Sequence, residues 1–198
     1  MKRLINIILF VLVLVVTNVT PVFATDHEGD AVYRNGVVQI PGYGELSWHA
    51  AISHSSDLGG IVIHAPGNNV VRYDTWSTFL GGNTFQSPGQ YKYGMTAYDS
   101  SNVVNMARLL ANKQNITYTT IDMLHFTSRG LYYVWDSDVT QLRCDGLVEY
   151  CYEWYNFPIL TDISGQWDIS RTMSALLHSS LYGNMNPVRQ WSTMNPHY

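Results

Sequence analysis

The stretch "RCDGLVEYCYEWY", residues 143–155, holds both cysteines of the chain, seven positions apart. Leu147, Val148, Cys151, Tyr152 and the pair Trp154/Tyr155 recur at three- and four-residue steps, the spacing of an amphipathic helix. On such a helix, seven residues at a rise of about 1.5 Å separate the two Cα atoms by about 10 Å, beyond the roughly 7 Å that a disulfide tolerates. Zinc-binding cysteines usually sit two to four apart in a turn, which disfavours a metal pair. Cys151 therefore reads as a small core side chain. Cys144 falls where the polar, loop-like "DSDVTQL" gives way to the helix, and the backbone dipole at a helix N-terminus favours thiolate.

A thiol nucleophile needs a base. In "GELSWHAAISHSSDLGGIVIHAPGNNVV", His49 lies in an alternating, strand-like run and His64 closes the β-branched run "IVIH" before a Pro-Gly turn. Neighbouring antiparallel strands would set the two imidazoles side by side. One would then accept the thiol proton and the other would fix its tautomer and orientation.

"CDGLVEYCY" resembles the "C-S-G-L-V-x-Y-x-Y" nucleophile helix of the NlpC-type cysteine hydrolases, papain-fold bacterial enzymes that mostly cut peptidoglycan stem peptides. "WHAAIS" and "IVIHAPG" are similar to that family's "H-V-G-I-Y" and "x-I-H-A" strands, and "EGDAVY" at 28–33 to its "G-D-L-V" strand. Both histidines precede the cysteine, an order that resembles the circularly permuted branch, with its YiiX-like and lecithin–retinol acyltransferase-like members. The resemblance implies an α+β, papain-like domain, with an antiparallel sheet or small barrel packed against the nucleophile helix. It also implies Cys144 as nucleophile, His49 as base, His64 as orienter, a thioacyl-enzyme intermediate, and no metal or other cofactor. Where the family has "D-C-S-G", whose acid and hydroxyl help hold a substrate amine, this chain has Arg143 and Asp145. Asp145 is a candidate for the amine, and Arg143 for a carboxylate or phosphate on another substrate. The site-lining tyrosine of the family falls on Tyr118 or Tyr133.

The implied substrate is a cell-wall peptide. The permuted branch adds a lipid or ester acyl group, cleaved or transferred, as an alternative. Two further readings compete: a non-catalytic secreted module that holds wall polymer or lipid through its aromatics, and a metal site built from Asp30, His49, His54 and His64.

Composition narrows the partners. Residues 1–24 carry Lys2 and Arg3, then "LINIILFVLVLVV" and "PVFA", the pattern of a secretory signal peptide, with an uncleaved anchor as the alternative. Cleavage would leave residues 25–198 as one domain, secreted or associated with a bacterial cell wall, without stable membrane insertion. Without Lys2 and Arg3, 9 basic residues face 15 acidic ones, a formal charge of −6, and no basic cluster occurs. Nucleic acid is a poor partner for such a surface. Charged residues are sparse at 13% while tyrosines number 14, a balance that leans toward carbohydrate, wall polymer or lipid.

Elsewhere, "DSSNVVNMARLLANK" begins with capping residues and reads as a core-facing helix. "VVRYDTWSTFL" fits a short helix or a strand, "QYKYGMTAY" alternates like a strand, and "ISRTMSALLHSS" is helix-like. The closing "GNMNPVRQWSTMNPHY" is polar and carries no partner motif.

Overall fold

A computed structural model describes residues 27–40, 44–55, 60–67, 70–120, 122–127, 132–159, 168–172 and 186–197. The leader over residues 1–24 and most of the helix-like stretch after Ile169 lie outside the described residues. In chain order the elements are β1 (Ala31–Ile40), β2 (Gly44–Ser53), β3 (Ile61–His64), β4 (Arg72–Thr75), α1 (Trp76–Leu80), β5 (Phe85–Tyr91) and α2 (Ala97–Asn112). There follow β6 (Thr117–Tyr118), β7 (Leu124–Phe126), a 3-10 turn (Asp136–Asp138), β8 (Val139–Leu142), α3 (Cys144–Glu153), α4 (Pro187–Thr193) and β9 (Asn195–Pro196). The fold is α+β. Among the described residues a six-stranded sheet runs β4-β3-β2-β1-β5-β9 with every pairing antiparallel, and a small sheet runs β6-β8-β7.

The period of two in the strands sorts side chains onto two faces. Ala31, Tyr33, Ala50, Ile52 and Ile63 join the main core with α2 and α3. Val32, Ala51 and Val62 form a second cluster with Phe79 of α1. Helix α2 starts in a capping box, with the Thr96 side chain on the Asp99 N–H and the Asp99 carboxylate on the Thr96 N–H, and buries Val103, Val104, Ala107, Leu110 and Ala111 at helical spacing.

Helix α3 departs from the amphipathic expectation, because all ten of its residues are buried. Its acidic groups find partners inside the protein, except Glu153 Oε1, which is buried without one. Arg143 binds Asp145, the Gln190 amide reaches Glu149 Oε2 at 3.4 Å, and the Ile169 N–H donates to Glu153 Oε2 at 2.6 Å.

Four local expectations change. "VVRYDTWSTFL" is strand and then helix, divided at Thr75, whose hydroxyl caps α1 at the Thr78 N–H. The strand in "QYKYGMTAY" stops at Tyr91, because Gly94 turns the chain at φ 90° and Ala97 already belongs to α2. "DSDVTQL" forms the 3-10 turn and β8 rather than a loop. The polar tail contains α4, started by Asn186 as cap and Pro187 at its first turn, and β9, which closes the sheet.

The two ends of the described chain meet. The His27 and His197 rings stack with centroids 3.8 Å apart, and buried Asp30 joins them, bonding His197 Nδ1 at 2.9 Å and accepting from the His27 N–H at 2.9 Å. Among the described residues no helix is long and apolar enough to cross a membrane.

Candidate active site

The β3–β4 hairpin builds one half of the site. Its register sets His64 opposite Arg72 and Val62 opposite Asp74, so Asp74 is the diagonal neighbour of His64 on one face. His64 Nε2 lies 2.7 Å from Asp74 Oδ2, and the same oxygen accepts from Arg72 Nε at 2.8 Å and Nη2 at 2.8 Å. On the next strand His49 Nε2 lies 2.8 Å from His64 Nδ1. Both imidazoles are buried against Phe79, at ring distances of 5.6 and 5.7 Å. His49 Nδ1 is buried with no hydrogen-bond partner.

Cys144 comes from the other face of the sheet, in the core cluster that contains Ala50 and Ile52. The β2–β3 register ends at Ile52–Ile63. Ser53 turns its N–H onto Asp30 O of the β1 side, so strand alternation turns the Ala50 N–H toward the β3 side, beyond the end of that ladder. The backbone N–H groups of Ala50 and Asp145 lie close enough to Cys144 Sγ to favour its thiolate form. The thiol thus meets β2 one residue from His49, where β3 has parted from it. Arg34, the cross-strand partner of His49, lies over Phe79 within electrostatic reach of both His49 and Cys144. The entry of α3 is fixed by Met123, whose carbonyl accepts the Arg143 N–H at 3.0 Å. That carbonyl would lie 1.9 Å from a Cβ on Gly146, so only glycine fits there.

Burial dominates the protonation states. It pushes the Cys144 thiol up to about 12, and the Asp145 carboxylate adds to this, against the Ala50 N–H, Arg143 and the Asp145 N–H. Burial, then His64 and Arg34, hold His49 well below the ordinary imidazole range. His64 is also lowered, by burial first, with Asp74 opposing. Asp74 is partly desolvated, yet hydrogen bonds from His64 and Arg72 hold it below the ordinary carboxylate value. The resting thiol and imidazole are both neutral. The thiolate expected of a helix N-terminus is outweighed, because complete burial costs more than the dipole returns.

The other sequence candidates separate. The Tyr118 hydroxyl is beside the Cys144 thiol, and burial raises its pKa. Tyr133 lies elsewhere, under the Arg171 guanidinium at 4.1 Å and against Trp135 and Trp154. Arg143 and Asp145 form a two-pronged ion pair, at 2.6 and 2.8 Å, with Asp145 fully buried, so in this state they face each other. Asp30 bonds His197 and His54 accepts from Arg108 Nε at 2.9 Å, which separates both from the His49–His64 pair. Cys151 is a free, buried core thiol. Sequence reading missed Asp74, Arg72 and Arg34. The first two had a signal in the alternating "RYDT" directly after the His64 turn.

No family model, curated protein or solved structure matches this chain.

Proposed function

We propose that this chain is a papain-like thiol hydrolase of the circularly permuted NlpC type, acting through a thioacyl-enzyme on an amide of bacterial wall peptides. The observation that carries the reading is the hydrogen-bonded line His49, His64, Asp74, in which buried His49 presents an unpartnered nitrogen, together with a buried thiol, Cys144, that lies by the backbone of Ala50, the next residue of the same strand. As Cys144 Sγ attacks the substrate carbonyl, its proton passes to His49 Nδ1, and the Cys144 N–H donates to the oxyanion. Collapse expels the amine, which takes that proton from His49. Water then attacks the thioester, with His49 again as base, and releases the acid.

The thiol is fully buried, so the side chains that cover it, Tyr118 among them, must yield to the substrate. An acyl ester or lipid acyl group is the second substrate class, favoured by the Arg143–Asp145 pair, which takes Asp145 away from a substrate amine.

The test is turnover of wall-peptide fragments and acyl esters by the purified protein, by Cys144→Ala and by His49→Ala. Both variants lose turnover by at least about 10²-fold if the reading holds. Full turnover by Cys144→Ala overturns it, and the preferred substrate decides between amide and ester.

A further inference from the structure

We infer that Asp74 dictates, through His64, which nitrogen of His49 carries the proton, and so is a positioning residue for the base. The inference rests on the hydrolase reading only for its catalytic consequence.

Asp74 Oδ2 accepts from two Arg72 N–H groups and from His64 Nε2 at 2.7 Å. An oxygen ringed by guanidinium donors stays ionised and is acceptor only, so His64 Nε2 must carry its hydrogen. A neutral His64 then presents Nδ1 as a lone pair. The 2.8 Å contact from that atom to His49 Nε2 needs one hydrogen, which only His49 can supply. A neutral His49 with its hydrogen on Nε2 has a bare Nδ1, and this is the buried nitrogen that has no partner.

Without Asp74 the opposite arrangement satisfies the His–His contact equally well. His64 would donate from Nδ1, His49 Nε2 would accept, and His49 Nδ1 would be protonated and useless as a base. Asp74 breaks that degeneracy, and Arg72 holds it in place. The strand register makes the device possible, because β4 presents Arg72 and Asp74 to the His64 face two residues apart.

The test is a histidine-ring ¹H–¹⁵N correlation spectrum of the uniformly ¹⁵N-labelled full chain at pH 7, for wild type, Asp74→Leu and Asp74→Asn. The wild type shows His49 protonated at Nε2. Asp74→Leu moves the population toward the Nδ1–H form, while Asp74→Asn keeps the wild-type form, because Arg72 holds the amide oxygen where the carboxylate was. Turnover follows the same order: kcat falls by roughly 10²-fold in Asp74→Leu with KM little changed, and Asp74→Asn is largely rescued. If Asp74→Leu does not fold, Asp74→Thr replaces it, since a hydroxyl donates or accepts and leaves the two forms mixed.

An unchanged His49 tautomer in a folded Asp74→Leu or Asp74→Thr overturns the inference, even where Cys144→Ala has confirmed the hydrolase. A tautomer shift in a protein with no Cys144-dependent turnover leaves the inference standing and removes the hydrolase reading.

Discussion

A neutral resting thiol makes a quantitative prediction for alkylation. Burial and Asp145 raise Cys144 from an ordinary 9.0 to about 12, while burial, His64 and Arg34 lower His49. A shift of about three pH units cuts the thiolate fraction at pH 7 by about 10³. A more basic thiolate is a better nucleophile, with a Brønsted slope of about 0.4–0.5, which restores roughly 15- to 30-fold. The net expectation is alkylation roughly 30- to 60-fold slower than an unshifted thiol, before any steric protection. The assay is iodoacetamide labelling across pH 4–9, read by intact mass and peptide mapping, with Cys144→Ala to isolate Cys151. The Cys144 rate should rise steadily with pH across the whole range and show no plateau. A sigmoid with its midpoint at or below pH 7, abolished in His49→Ala, would refute the reasoning, since it would reveal a thiolate–imidazolium pair already formed at rest.

Two stability predictions concern helix α3. Gly146→Ala drives a Cβ to within 1.9 Å of the Met123 carbonyl, a backbone atom that cannot swing away, so urea denaturation should show a loss of at least about 2 kcal/mol; a loss under 0.5 kcal/mol contradicts the close approach. Glu153 is raised well above 4.5 by burial and by Glu149, so its contribution is fully present below about pH 4.5 and is lost as pH rises through its folded value, with a slope of at most about 1.4 kcal/mol per pH unit. Glu153→Gln should flatten stability measured by urea titration between pH 4.5 and 7, and an unchanged pH slope would show that the buried carboxyl does not titrate there.

The sequence made the α+β class, both histidine strands, α2 and the start of α3 legible, because each rests on short-range periodicity or a local cap. His49 and His64 were predicted to lie side by side, and the strand pairing puts them there. Asp74 was hidden because its role comes from hairpin register, which one strand's own pattern does not specify. The thiol's protonation state was misread for a related reason. A helix N-terminus is a local feature, whereas the burial that outweighs it comes from segments distant in sequence, including Ala50 and Tyr118. Arg143 and Asp145 looked like substrate groups while each was considered alone. Two residues apart across the helix start, they satisfy each other.

The burial of Cys144 also bears on survival in an oxidising medium. Peroxide oxidation and thiol–disulfide exchange both start from an accessible thiolate. A neutral thiol with no exposed surface offers neither, and Cys151, equally enclosed seven residues further on, cannot act as a resolving partner. The same enclosure therefore acts as an antioxidant device. It shields the sulfur by burial alone, whatever the redox poise of the surrounding medium.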